Sequence, residues 1–314
     1  MTTSPTLPLV VADEVSDAIA SGTGVVALES TIISHGLPTE SSAATARQIE
    51  DAVRRQGAVP ATVALVDGTI RIGLDDDALV RVAEDADVVK ASIRDLGIVM
   101  SQELTGATTV AATSYLAHVA GIRVFATGGL GGVHRDAQQT WDESADLGAL
   151  ATVPVTVVCA GVKSILDVAA TLERLETLSV TVLGYGTDTF PGFYVRDTGI
   201  SVPWRVDTPA GVADIMRRRE SIGLRQGVVV ANPIHAAEEM ELGLHQATLD
   251  SGLAEVRRRG ITGKDVTPFL LGWFHEQTHG VSLAANVALV LSNATLAAQI
   301  STAWSGPEAA LVRH

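Results

Sequence analysis

Lysine is rare in this chain. Its 22 basic residues comprise 19 arginines and only three lysines, Lys90, Lys163 and Lys264. A bias toward arginine explains the imbalance, but such a bias leaves lysine mainly where arginine cannot serve. Arginine stays protonated, whereas a buried lysine can shed its proton and act as an amine nucleophile. Lys90 follows the apolar run "ADVV" and precedes "ASIRDL". Lys163 follows "VVCAG" and is expected to open a helix, "KSILDVAATLERLET". Burial and the positive end of a helix dipole both favour the neutral amine, the form that makes a Schiff base. A phosphate-binding lysine would suit the same place. Lys264, in "RRGITGKDVTP", reads as a solvated loop lysine.

Carboxylates come next. Glu29 ends the apolar stretch "VVALE". Partial desolvation there favours its protonated form and suits acid–base work; a helix-capping or ion-paired glutamate is the alternative. Asp142, Glu143 and Asp146 cluster in "TWDESADLGAL". Such a cluster offers oxygen ligands to a hard divalent ion, or is a solvated acidic helix start. His275 and His279 spell H-E-x-x-H in "FHEQTHG", the spacing by which a helix presents two zinc ligands and a base. The context is poor. Gly280 follows at once, Ser282 reads as the N-cap of a new helix, and the only downstream ligand candidates are Glu308 and His314. The glycines of "TGGLGGVHR" do not give G-x-G-x-x-G. "AGVKS" lacks the upstream glycine of a P-loop, and no G-x-S-x-G occurs.

These residues must be positioned by something. "GVVALES", "VPVTVVCAG", "VTVLGYG" and "GVVVANP" are near-continuous apolar runs, the pattern of strands buried on both faces. "ATVALVDG" and "TIRIGL" read as a hairpin turning at Asp67-Gly68. Helical stretches alternate with them: "ESSAATARQIEDAVRRQG", "DDDALVRVAEDA", "GATTVAATSYLAHVAG". Alternation of this kind predicts an α/β fold with a largely parallel sheet, whose ligands bind at the carboxyl ends of the strands. From Asp265 onward the chain reads as all helical. With no low-complexity linker or internal repeat, residues 1–314 are expected to form one α/β domain with short flexible ends near 1–8 and 305–314.

A formal net charge of −14 argues against a nucleic-acid backbone as partner. The single cysteine, Cys159, rules out an internal disulfide. No basic segment followed by a long apolar stretch opens the chain, and apolar runs are interrupted short of membrane-spanning length. A cytoplasmic location with no membrane partner is the expectation.

The stretches "ALESTIISHGLP", "PATVALVDGTIRIGL", "GATTVAATSYLAHVAGIRVFATGGLGGVHR", "DESADL", "VCAGVKSILDVAATLERLET", "GYGTDTFPGFY", "VVVANPI", "GKDVTPFLL" and "SLAANVALVLSNA" closely resemble the pseudouridine-5′-phosphate glycosidases, the family that includes the indigoidine synthase A-like proteins. The resemblance runs from about Ala27 to about Ala298. It implies reversible cleavage of pseudouridine 5′-phosphate to uracil and ribose 5-phosphate, a three-layer α/β/α fold, a divalent metal, usually Mn²⁺, and a homotrimer. It also implies roles: Lys163 as nucleophile, Glu29 as proton donor, Asp142 as metal ligand. Ser144, Ala145, Asp146, Lys90, Val110, Thr127, His134 and Asn286 are the implied substrate positions. Lys90 and the backbone amides of "GATT" would hold the 5′-phosphate at a helix N-terminus. The chain departs from the family pattern at Ile93, where a second basic residue is common, at His235 in "NPIH", and in "FHEQTHG" itself. A zinc metallopeptidase using the HEQTH stretch and a non-catalytic sugar-phosphate-binding protein are the alternatives.

Overall fold

The computed structural model describes residues 9–306. The flexible ends expected near 1–8 and 305–314 therefore fall almost wholly outside the described residues, as do Glu308 and His314. Eleven strands form one sheet among the described residues. They are β1 (Leu9–Val11), β2 (Val25–Leu28), β3 (Val59–Val66), β4 (Thr69–Ile72), β5 (Val89–Ala91), β6 (Gly106–Thr108), β7 (Val124–Ala126), β8 (Thr156–Cys159), β9 (Thr181–Tyr185), β10 (Trp204–Val206) and β11 (Val228–Ala231). The order is β1-β4-β3-β2-β7-β8-β11-β9-β10, with β6 pairing to β3 and β5 to β6.

From β3 to β10 every pairing along that path is parallel. The predicted β3–β4 hairpin is antiparallel and pairs Val66 with Thr69 across the Asp67-Gly68 turn. Strands β2, β8 and β11 are buried at every residue, as expected when helices cover both faces of a parallel sheet. The covering helices before the C-terminal part are α1 (Asp13–Ser21), α2 (Thr31–His35), α3 (Thr39–Arg54), α4 (Asp76–Glu84), α5 (Leu96–Ser101), α6 (Val110–Val119), α7 (Ala137–Thr140), α8 (Ala145–Thr152), α9 (Val168–Thr177) and α10 (Pro209–Ser221). The helical C-terminal part starts earlier than expected, with α11 (Leu242–Arg259), and from Asp265 onward the chain is helical, as predicted, with α12 (Val266–Gln277) and α13 (Val281–Ser305).

Helix α13 packs on α3 and α10 and over β2, β7 and β8, α3 covers β3, and α6 lies against β2, β3 and β6 and packs on α8. Helix α13 is long and apolar enough to cross a membrane, yet more than half of its apolar stretch is buried inside the fold. It is a core helix, apolar nearly all round because it is enclosed.

Several local expectations change. "GATTVAATSYLAHVAG" is not one helix. Gly106–Thr108 is the strand β6, and α6 begins at Val110, where the Thr109 hydroxyl accepts the Ala112 N–H. Thr-Thr supplies both a strand end and an N-cap, which a purely helical reading overlooks. "KSILDVAATLERLET" becomes helical only at Val168, capped by Asp167 accepting the Ala170 N–H at 3.0 Å. Lys163 therefore stands in an irregular loop and feels no helix N-terminus of its own. Lys90 lies within β5 rather than after a strand. Ser282 is not an N-cap: the turn is made by His279 and Gly280, with φ of 50° and 90°, and Ser282 is buried one residue inside α13. Lys264 falls in the 3₁₀ turn Gly263–Asp265, not in open loop; its side chain lies outside the described residues.

Candidate active site

A cavity of about 440 Å³ opens at the carboxyl ends of the strands, where an open parallel sheet binds ligands. Among the residues singled out from sequence, Glu29, Lys90, Val110, His134, Asp142, Ser144, Ala145, Asp146, Lys163 and Asn286 all line it. They are drawn from positions as far apart as Glu29 and Asn286, and the topology brings them together. Thr127 does not line the cavity; it lies beneath, buried, and its hydroxyl donates to Glu29 Oε1.

Glu29 follows β2 and is 9% exposed. Burial raises its pKa above the usual carboxylate range, against the opposing pull of the Lys163 ammonium and the Thr127 hydroxyl. Desolvation prevails and favours the protonated form, the state a general acid needs. The amine of Lys163 donates to the Gly129 carbonyl at 2.6 Å. Its backbone N–H donates to Leu130 at 3.0 Å, tying the loop after β8 to the loop after β7. That loop turns at Gly161, whose φ is 87°; a Cβ there would stand 2.0 Å from the Pro191 carbonyl oxygen, so only glycine fits. Lys90 has its pKa lowered, first by burial and then by the Lys163 charge. Cys159, the other residue capable of nucleophilic chemistry nearby, is buried and pushed up to about 12, which leaves it inert.

The acidic cluster divides into separate tasks. Asp146 is buried, and its two oxygens accept the Gly131 N–H at 2.8 Å and the Ala111 N–H at 3.0 Å. Glu143 pairs with Arg174 at 2.9 Å. The expectation of three carboxylates around one ion is thus corrected: two of them are engaged with protein groups. Asp142 is left, with its carboxylate 3.6 Å from His134 Nδ1. The His134 pKa is lowered by burial and by Lys90, although Asp142 pulls the other way; the neutral ring can offer a nitrogen to a metal. Among the described residues no group of three His, Cys, Asp or Glu side chains is gathered for a metal. One carboxylate with water completing the shell still fits a Mg²⁺- or Mn²⁺-type ion, and does not fit the closed protein cages of structural zinc.

The "GATT" amides are likewise engaged. Thr108 N–H donates to Ser30 Oγ at 2.8 Å, and Thr109 N–H to the Ala91 carbonyl at 3.0 Å. With Ala111 held by Asp146, the sequence expectation that these amides cradle a phosphate is corrected. Thr109 and Val110, at the start of α6, both line the cavity. The HEQTH stretch is elsewhere. His275 is exposed in the last turn of α12, His279 is exposed beyond its end with a left-handed backbone, and neither lines the cavity. The two rings do not share a helix face, which removes the geometry a zinc peptidase requires.

Sequence reasoning singled out Asn286 but passed over other lining residues, His35, Ser92 and Phe193 among them. His35 Nε2, Ser92 Oγ and Asn286 Oδ1 are buried without a hydrogen-bond partner among the described residues, and all three residues line the cavity. Buried polar atoms are normally paired, so these three are free to bond a ligand in the cavity. His35 and Ser92 sit inside "STIISHGLP" and "KASIRDL", stretches already quoted, but nothing in their spacing distinguished them. Phe193 forms a wall in a left-handed conformation, φ 65°, and packs so closely on Gly129 that a Cβ there would stand 2.5 Å from its ring. Thr267, Pro268 and Leu271 of α12 border the opening.

Comparison with known proteins places this geometry. A Salinispora tropica protein named pseudouridine-5′-phosphate glycosidase is 56% identical, over 94% of this chain and 92% of its own. A Nocardioides protein of the same name is 53% identical, over 97% and 99%. The crystal structure of the prealnumycin C-glycosynthase AlnA in complex with ribulose 5-phosphate superposes with a TM-score of 0.90, at 38% identity, covering 98% of this chain and 100% of that one. An indigoidine synthase A-like protein from Thermotoga maritima gives 0.87 at 31% identity, with 98% and 100% covered. The family described as "Indigoidine synthase A like protein" matches residues 14–303, and the chain belongs to that family.

Proposed function

We propose that the protein is a pseudouridine-5′-phosphate glycosidase, which reversibly cleaves the C–C glycosidic bond of pseudouridine 5′-phosphate to uracil and ribose 5-phosphate. The observation that carries the reading is a buried Glu29 facing one cavity with Lys163, its pKa raised by burial against the pull of that amine, in a chain more than half identical to proteins of that name. A C–C bond has no leaving oxygen to protonate, so the usual two-carboxylate hydrolysis does not apply. An amine provides another route.

The neutral Lys163 amine attacks C1′ as the C1′–O4′ bond breaks, O4′ becoming a hydroxyl with a proton equivalent to the one the nitrogen loses; the nitrogen lone pair then forms a C1′=N iminium as the C1′–C5 bond breaks. The bond's electron pair goes to C5 of the base, which takes the Glu29 proton. Water then hydrolyses the iminium and releases ribose 5-phosphate and the free amine. The Lys163–Gly129 hydrogen bond aims the amine, and the Thr127 hydroxyl fixes the Glu29 carboxyl. Lys90 supplies positive charge for the 5′-phosphate. His35, Ser92 and Asn286 offer unpaired polar atoms to the sugar phosphate and base, and Ser144, Ala145, Val110 and His134 complete the walls. Asp142 would hold a divalent ion, Mn²⁺ by family resemblance, beside His134. When bound, such an ion supplies a hard Lewis acid that orders water and oxygen ligands. A homotrimer, one α/β domain and a cytoplasmic location complete the reading.

The direct experiment is release of uracil from pseudouridine 5′-phosphate by the purified protein with Mn²⁺, and its reversal from uracil and ribose 5-phosphate. Turnover in both directions is expected. Binding of ribose 5-phosphate with no uracil released in either direction would reduce the protein to a sugar-phosphate binder.

A further inference from the structure

Asn293 stands on α13, wholly buried, and reaches no cavity wall. Its side-chain nitrogen donates to the Thr127 carbonyl at 2.8 Å and to the Gly128 carbonyl at 3.3 Å. Its oxygen accepts from Asn232 Nδ2 at 2.9 Å. Only this orientation works, because a flipped amide would set its oxygen against two carbonyls and its nitrogen against another amide nitrogen. Asn232 follows β11; its backbone N–H donates to Cys159, the last residue of β8, at 2.8 Å. The two amides thus cross the carboxyl ends of three neighbouring strands, β7, β8 and β11.

The segment they grip is hydrogen-bonded to both reacting groups. The Thr127 hydroxyl donates to Glu29, and the Gly129 carbonyl accepts the Lys163 amine at 2.6 Å. Gly128 between them rests on α13, so closely that a Cβ would lie 3.2 Å from Val290 and 3.4 Å from Leu289. Apolar contact sets the height of the segment over the helix. It does not set rotation of the carbonyls, which a directed amide does.

We propose that Asn293, held in turn by Asn232, is a positioning residue: it fixes the backbone of Thr127 to Gly129 and thereby the placement of the Glu29 carboxyl relative to the Lys163 amine. The proposal rests on the roles given to Glu29 and Lys163 above. Misplacement by about an ångström costs on the order of a hundredfold in rate when reacting groups must meet. Besides Thr127, the charged groups that act on Glu29 are Lys163, Asp146 and Lys90.

Two variants test it, Asn293→Leu and Asn232→Ala, with two independent readouts. One is the ¹³C NMR titration of the Glu29 carboxyl, assigned by its loss in Glu29→Gln. The other is kcat and KM for uracil release, with the folded fraction monitored by circular dichroism. In Asn293→Leu the Thr127 hydroxyl loses its seat, so the Glu29 titration moves to higher pH. Its kcat falls by about tenfold or more while KM stays within about threefold. Asn232→Ala moves both readouts in the same direction by less. An unchanged Glu29 titration, or a fall in kcat no larger than the fall in folded protein, would overturn the proposal. Should Asn293→Leu not fold, Asn232→Ala decides on the same criteria. Should the wild type release no uracil, the functional reading fails on its own, and the titration still judges the brace.

Discussion

Glu29 has to keep a proton at a pH where an ordinary glutamate has lost it, and its neighbours act on that proton in opposite senses. Burial raises its pKa, while Lys163 and the Thr127 hydroxyl lower it. A donor works only while protonated, so cleavage is sustained below the raised folded-state pKa and declines as pH rises through it. The alkaline limb of the kcat profile therefore belongs to Glu29. Thr127→Val removes a bond to the ionised form, and the limb is expected to shift to higher pH; a shift to lower pH would reverse the assignment. Glu29→Gln should lower kcat by roughly 10²–10⁴-fold, the usual contribution of a positioned acid. At this scale much was legible. Glu29 and Lys163 were conspicuous as a carboxylate and an amine after apolar strands, and the few lysines pointed the same way. The helix-dipole argument for Lys163 does not apply, because α9 begins only at Val168. Pairing preferences were not legible at all: that Glu143 turns to Arg174 and Asp146 to two backbone amides depends on contacts remote in sequence.

The elements carry these residues to one edge of the sheet, and their ends matter more than their middles. Buried parallel strands and strongly periodic helices such as α3 and α4 were readable from pattern. The short strands β5 and β6 were not, since three residues give no periodicity and Gly106–Thr108 merges into the helical run that follows. Helices α1, α10 and α11 passed unnoticed for another reason. Their mean composition is polar or mixed, and they lie between the motifs that drew attention. Helix α8 is held at its start by Ser144, whose hydroxyl accepts the Asp146 N–H at 3.2 Å, and by Asp146, which reaches across to Gly131. A Cβ at Gly131 would stand 2.2 Å from Ser144 Oγ and 2.7 Å from Asp146 Oδ2. Gly131→Ala is therefore expected to push α8 outward, lower stability by about 1–3 kcal/mol, and weaken substrate binding. Unchanged melting temperature and KM would show that the Gly131–Asp146 bridge is not what sets the cavity wall.

At the scale of the whole molecule, one end of the sheet bears the cavity, and the C-terminal helices lie beside it as floor and border. Helix α13 supplies Asn286 to the cavity and Asn293 to the segment beneath it, while α12 borders the opening. The H-E-x-x-H spelling at the α12–α13 junction lies outside that arrangement. His275→Ala with His279→Ala is expected to change stability by no more than about 0.5 kcal/mol, as for other exposed positions, and to leave uracil release within about twofold. Loss of activity together with loss of bound zinc would revive the peptidase reading. The resemblance over most of the chain made the three-layer architecture legible before any coordinates; the chain's own periodicities carried the class but not the strand order. The account as a whole depends on a covalent bond between Lys163 and the sugar. Borohydride reduction in the presence of ribose 5-phosphate, followed by peptide mass spectrometry, measures it directly. The sugar phosphate's mass should appear on the peptide containing Lys163 and vanish in Lys163→Ala along with turnover, whereas full turnover in Lys163→Ala, or trapping on another peptide, would contradict the mechanism.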